Sequence, residues 1–82
     1  MEKQRKEKRI VVLGGGESGV GAAILATKKG FDVFLSDAGS IKAKYKEMLR
    51  KYSIAWEENS HNLELILTAD EVVKSPGIPD RV

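Results

Sequence analysis

The stretch that decides the fold is RIVVLGGGESGVGAAILATKKGFDVFLSD, residues 9–37. Its first five residues form a short, β-branched apolar run that ends in glycine, which is the pattern of a buried parallel strand. Apolar residues at helical spacing follow over residues 19–29, and Gly30 is a typical helix stop. The run DVFLS at residues 32–36 predicts a second strand. Strand, helix and strand within about thirty residues are typical of one βαβ unit.

The rest of the chain continues the alternation. We expect a helix over residues 41–52 with Ser40 as its N-terminal cap, and a strand over residues 54–57. A short helix over residues 60–68 should turn Leu63, Ile66 and Leu67 inward, and residues 71–74 (EVVK) should form a fourth strand. This order predicts an α/β fold with a Rossmann-like, doubly wound parallel sheet of about four strands, in one small domain over residues 9–82.

Length and composition exclude several classes of protein. A chain of 82 residues holds one small domain. It has no cysteine, so neither disulfides nor a thiolate metal site is expected. No stretch is long and apolar enough for a membrane span and no signal peptide opens the chain, so the cytoplasm is the default location.

The positive charge is concentrated at the start of the chain. Residues 1–9 contain five Lys or Arg and two Glu, whereas the remainder has nine basic and ten acidic residues. The near-neutral body argues against a nucleic-acid surface. Residues 1–8 are therefore predicted to be a disordered basic leader, with a binding arm as the alternative.

The glycines Gly14, Gly16 and Gly19 fit G-x-G-x-x-G between a strand and a helix. The first permits the tight turn, the second lets the backbone approach a pyrophosphate, and the third lets helix pack on strand. The amides of Glu17 and Ser18 would then point at the phosphate, with the Glu17 carboxylate turned outward. The alternative is a tight turn that binds nothing.

Two further features end strands at the same edge of the predicted sheet. Asp37 follows the second strand, where an acid would accept hydrogen bonds from an adenosine ribose, a uridine ribose or the imide N–H of uracil. Ser75, Pro76 and Gly77 follow the fourth strand. The alternatives are a turn or capping role for Asp37 and a plain strand-ending turn for the other three.

The remaining polar and aromatic residues predict no chemistry. His61 is the only histidine, and a surface or helix-capping role is expected for it. Trp56 is expected to pack in the core. The chain contains no G-x-x-x-x-G-K-[ST] sequence, no nucleophile beside a base and no metal-ligand cluster, so neither a catalytic residue nor a metal site is predicted.

The combined pattern resembles the N-terminal domain of the Mur ligases, and most of all that of the D-glutamate-adding MurD group. The resemblance rests on VVLGGGESGVGAAILATKKGFDVFLSD together with ADEVVKSPGIP, and it covers residues 9–79. MurC-like sequences of the same pathway tend to read G-x-G-G-x-G-M-S-G, which this chain does not. In the family, a hydroxyl or basic residue often follows the acid, and here Ala38 and Gly39 stand there instead.

The resemblance implies a ligand and missing parts. This domain of the family holds UDP-N-acetylmuramoyl-L-alanine and no NAD. A central domain binds ATP and Mg and activates the substrate as an acyl phosphate, and a C-terminal domain brings D-glutamate. The chain is accordingly expected to be an inactive piece of a longer ligase. Carried over by position, the diphosphate site comprises Gly14, Gly16, Glu17, Ser18 and Gly19, and the uridine site comprises Asp37, Ala38, Ser75, Pro76 and Gly77.

The residues alone leave two alternative hypotheses open. The first is an NAD(P)-binding module of a dehydrogenase or regulator, which the glycine loop and Asp37 also fit. The second is a designed or truncated fold without a ligand site. The fourth strand is expected to be a sheet edge, so two chains are expected to pair through it as a dimer.

Overall fold

In the computed structural model, the described part of the chain is residues 8–74, and strands and helices alternate along it. The elements are β1 (Arg9–Leu13), α1 (Glu17–Lys28), β2 (Asp32–Ser36), α2 (Ala43–Lys51), β3 (Ala55–Glu57), α3 (Leu63–Ile66) and β4 (Glu71–Lys74). The predicted basic leader lies almost wholly outside this part, since only Lys8 is described.

The four strands form one parallel sheet in the order β3-β2-β1-β4. This confirms the α/β fold and the Rossmann-like sheet predicted from the sequence. Because all strands run in the same direction, their carboxyl ends meet at one edge, where the loops after β1 and β2 lie side by side. Within residues 8–74, β4 is an edge strand and Val72 is 44% exposed. Dimer formation through this edge stays a prediction.

The core lies between one face of the sheet and the two longer helices. Val12 and Leu35 are paired in register on β1 and β2, and both are buried. They belong to one cluster with Val20 and Ala23 of α1 and Leu49 of α2. The three-residue spacing of Val20 and Ala23 puts both on one side of α1, which explains why this sequence packs as a helix on the sheet.

Within residues 8–74, no helix has the length and apolar character needed to cross a membrane.

The start of α2 differs from the prediction. Lys42 is the N-cap residue and no side chain caps the helix. Ser40 Oγ instead donates to Asn59 Oδ1 at 3.2 Å. The cause is a long-range contact: Ile41 is buried in the core, and its amide donates to Glu58 Oε1 at 2.8 Å, which keeps the chain extended before the helix. The prediction that Ser40 caps the helix was wrong.

The third helix is shorter and more exposed than predicted. It spans four residues and is capped by Asn62, whose Oδ1 accepts from the amides of Glu64 and Leu65. Leu63 and Leu67, expected to face inward, are 67% and 79% exposed. Helical spacing therefore identified the element but not its packing.

Glu58 links α2 to the segment after β3. Its carboxylate accepts from Lys46 Nζ at 2.6 Å as well as from the Ile41 amide. The hydrogen bond from Lys46, and then that from Ile41, hold the pKa of Glu58 below its ordinary value of 4.5. A lowered pKa in the folded state means that the ionised carboxylate stabilises the fold.

Glu58→Gln should therefore lower the free energy of unfolding at neutral pH and weaken its dependence on pH. The contribution of Glu58 is fully present above about pH 4.5, and it is lost as the pH falls through the lower pKa of the folded state. Urea unfolding at a series of pH values measures this difference, which should shrink on acidification. Glu47→Gln removes a charge from the same helix and is the control. A difference that stays constant from pH 7 to pH 3 would contradict the assignment.

Candidate functional site

The loop between β1 and α1 is built as the glycine motif predicts. Gly14 has a φ of 107°, a conformation that favours glycine, and its amide donates to Ser36 O at 2.8 Å. A Cβ at Gly19 would lie 1.8 Å from the carbonyl oxygen of Gly14. The first glycine therefore makes the turn, and the third lets α1 pack directly against it.

The two glycines between them have opposite surroundings. A Cβ at Gly16 would meet no atom within 4 Å, so the space in front of this residue is open. A Cβ at Gly15 would lie 2.8 Å from Ile41 Cγ1 and 3.1 Å from Asp37 Oδ2. The motif assigned close approach to a ligand at Gly16, and the open space there suits that role. The motif gave no role to Gly15, which is packed against the loop after β2.

The N-terminus of α1 faces this open space without a side-chain cap. Gly16 is the N-cap residue, and the amide of Val20 donates to its carbonyl at 2.9 Å. The amides of Glu17 and Ser18 precede that hydrogen bond and therefore have no acceptor within the helix. Both side chains are exposed, and Ser18 does not cap the helix. Two N–H groups at the positive end of the helix dipole form a favourable position for an anion.

Asp37 joins the two loops at this edge of the sheet. Its Oδ2 accepts from the Gly15 amide at 2.6 Å, and its Oδ1 accepts from the Gly39 amide at 2.8 Å. The second hydrogen bond is that of a turn aspartate, the alternative that the sequence left open. A carboxylate has about four lone-pair sites, so both bonds leave capacity for a further donor.

A cavity of about 300 Å³ lies between the glycine loop and the first turn of α2. It brings together three of the residues predicted from the sequence, Gly16, Glu17 and Asp37. It also adds four that sequence reasoning had not assigned to the site. The full lining is Gly15, Gly16, Glu17, Asp37, Ser40, Lys42 and Tyr45.

Lys42 and Tyr45 show what the sequence analysis missed. Lys42 is the one cation that lines the cavity, and it makes no ion pair within residues 8–74. Tyr45 is half-buried one turn further along α2. The available signal was topological: α2 follows β2, so its first turn lies at the same sheet edge as the glycine loop.

The other predicted residues are placed less directly. Ala38 is exposed and does not line the cavity. Gly14, Ser18 and Gly19 shape the loop and helix beside the cavity without lining it. Ser75, Pro76 and Gly77 lie outside the described residues, so their predicted role in the uridine site stays a prediction.

A serine, a histidine and a glutamate meet beside this site. Ser36 Oγ lies 2.6 Å from His61 Nδ1 and 2.7 Å from Glu57 Oε2. This is not the arrangement of a nucleophilic triad, in which histidine stands between the acid and an accessible hydroxyl. Here the serine stands in the middle and is fully buried. Residues 8–74 contain no group of acidic and histidine side chains that could hold a metal ion.

Two predictions about single residues have clear outcomes. Trp56 is half-buried and packs against the core, as predicted. His61 is exposed but does not cap α3, because that role belongs to Asn62. Its contact with Ser36 could not be read from the sequence.

Comparison with known proteins identifies the family of the chain. Residues 9–81 match the family model described as MurD N-terminal domain. The chain is 64% identical over 73 residues to a protein of Bacteroides thetaiotaomicron and 67% identical over 73 residues to one of Bacteroides fragilis. A protein of Christiangramia forsetii is 62% identical over 74 residues.

All three relatives bear the name UDP-N-acetylmuramoylalanine–D-glutamate ligase. The matches cover 89–90% of this chain but only 16–17% of the relatives, so the chain spans about one sixth of their length. The part of the protein concerned is named by the family model, which covers residues 9–81. The chain belongs to the MurD N-terminal domain family.

Proposed function

We propose that this chain is the domain that binds UDP-N-acetylmuramoyl-L-alanine in a ligase that adds D-glutamate to it, without activity of its own. The observation that carries the proposal is the cavity in which the open face of Gly16, the N-terminus of α1 and Asp37 meet. The name that the relatives bear supports the choice of ligand.

The diphosphate would lie at the N-terminus of α1, within reach of the Glu17 and Ser18 amides. Charge-assisted hydrogen bonds from such amides are stronger than neutral ones. The Glu17 side chain is exposed, so its carboxylate has room to turn away from the phosphates. Lys42, across the cavity, would add a positive charge that the glycine loop lacks.

The uridine end would lie toward the loop after β2. Asp37 would accept from the nucleoside through lone pairs that its two backbone contacts leave available. Ala38 offers only backbone groups there. Ser75, Pro76 and Gly77, which follow β4 in the sequence, would complete the uridine site. The sheet order supports the placement, because β4 lies next to β1, so its carboxyl end is at the same edge.

The chemistry of the whole ligase would reside in domains other than this N-terminal one. ATP and Mg would bind in the central domain, where the substrate carboxylate becomes an acyl phosphate, and D-glutamate would be brought by the C-terminal domain. The described residues contain no group suited to hold a metal ion. We assign to this chain the binding and orientation of the sugar nucleotide, and the cytoplasmic location stays a prediction.

Titration with UDP and with NAD⁺, followed by amide NMR, tests the proposal. UDP should shift the amides of residues 14–19 and 37–39, and NAD⁺ should shift them less at equal concentration. UDP-N-acetylmuramoyl-L-alanine should bind at least as tightly as UDP. Tighter binding of NAD⁺ would instead favour the dinucleotide-binding module, and no shift with either would leave the loop as a turn without a ligand.

A further inference from the structure

The buried hydroxyl of Ser36 joins the end of β2 to the end of β3 and to the segment before α3. Besides His61 Nδ1 and Glu57 Oε2, it lies 3.2 Å from the carbonyl oxygen of Ser60. A hydroxyl has one proton, and an ionised carboxylate only accepts. We assign that proton to Glu57, so Nδ1 of His61 carries a proton and donates to Ser36. Glu57 Oε2 also accepts from the Asn62 amide at 2.7 Å, which fixes the approach to α3.

The segment held in this way carries the backbone of the proposed uridine site. The amide of Asp37 donates to Glu57 O at 3.1 Å, and its carbonyl accepts from the Ser60 amide at 3.2 Å. Two residues after Asp37, the carbonyl oxygen of Gly39 accepts from the Asn59 amide at 2.9 Å. Residues 57–61 therefore hold residues 37–39 through three backbone hydrogen bonds.

The side chain of Asp37 depends on this backbone for its direction. It accepts from the Gly15 amide at 2.6 Å, and Asp37 lines the cavity. Binding sites are precise when the groups that touch the ligand are themselves fixed by hydrogen bonds behind them. The glycine loop has its own support, because Gly14 packs against Gly19 and bonds to β2.

We propose that His61 is a positioning residue for the nucleoside end of the cavity, acting through Ser36 on Asp37 and Gly39. This inference rests on the proposed function, since it takes a uridine nucleotide as the ligand. His61 itself touches no ligand. Its hydrogen bond to Ser36 fixes the segment that keeps the loop after β2 in its binding conformation.

The test compares three replacements of His61 in the 82-residue chain, titrated with UDP, uridine and inorganic pyrophosphate. His61→Ala removes the hydrogen bond to Ser36, whereas His61→Asn places an amide N–H near the position of Nδ1. His61→Gln extends its amide past that position. A neutral hydrogen bond corresponds to about threefold to tenfold in affinity, so His61→Ala and His61→Gln should weaken UDP and uridine binding by about that factor. His61→Asn should restore most of it, and pyrophosphate affinity should not change in any of the three.

Asn62→Ala is the matched control. It removes the cap of α3 next to His61 and leaves Ser36 untouched, so it should lower thermal stability without changing the ratio of UDP to pyrophosphate affinity. If the ratio of UDP to pyrophosphate affinity in His61→Ala equals that of the unaltered chain, the positioning role is overturned, whether both affinities are unchanged or both fall equally. UDP binding by the unaltered chain would still uphold the proposed function. Failure of the unaltered chain to bind UDP would overturn both.

Discussion

Replacing Gly19 with alanine should lower the melting temperature of this domain by about 12–24 °C. The added Cβ would lie 1.8 Å from the carbonyl oxygen of Gly14 and 2.8 Å from its carbonyl carbon. Both are backbone atoms of a turn held by a positive φ, so either α1 or the turn must move. Overpacking typically costs about 1–3 kcal/mol, and the contact with rigid backbone places this change at about 3 kcal/mol. In a domain of this size each kcal/mol corresponds to about 4–8 °C.

Thermal unfolding followed by circular dichroism measures the effect, and Gly21→Ala is its control. Gly21 lies in the same helix, and a Cβ there would meet no atom within 4 Å. Alanine in a helix interior is favoured over glycine by about 0.5–1 kcal/mol, so this variant should melt slightly higher. Equal melting temperatures for the two variants would show that α1 does not pack on Gly14 as described.

The sequence predicted the strands of the sheet better than the helices that pack on it, and the reason is physical. β1, β2 and β4 have the bounds expected from the sequence, because short apolar runs that end in glycine or a polar residue are local signals. The starts and faces of the helices depend on distant residues. Ser40 is a good cap by composition, yet Glu58, far along the chain, pairs with the Ile41 amide and delays the start of α2. Likewise, the spacing of Leu63 and Leu67 indicates a helical face but does not say which surface covers it.

The candidate site divides in the same way. The G-x-G-x-x-G spacing located the loop and identified the roles of Gly14 and Gly19, which follow from backbone geometry. It could not show that Asp37 holds Gly15, because that contact requires the two loops to meet. The role of Lys42 could not be predicted for a similar reason. Lys42 follows the loop after Asp37, and it reaches the cavity because α2 begins directly after it.

Replacing Gly16 with valine should have the opposite profile from Gly19→Ala, with a large loss of affinity and a small loss of stability. A Cβ at Gly16 would meet nothing within 4 Å, and the φ of −83° suits any residue, so the folded chain accepts the side chain. Valine is a poorer N-cap than glycine, which costs about 1 kcal/mol, or about 4–8 °C. The two methyl groups would stand in the cavity in front of the Glu17 and Ser18 amides.

A diphosphate held off those amides loses at least one charge-assisted hydrogen bond. Such a bond contributes about 1.5–3 kcal/mol, so the affinity for UDP should fall about tenfold to a hundredfold. Gly16→Ala should give a smaller loss, because a single methyl group fills less of the space. Calorimetric titration with UDP measures the series, and uridine serves as the internal control because it lacks the phosphates and should bind the three proteins alike. Equal UDP affinity in Gly16→Val and the unaltered chain would mean that no phosphate approaches this face of the loop, and the glycines would then serve the turn alone.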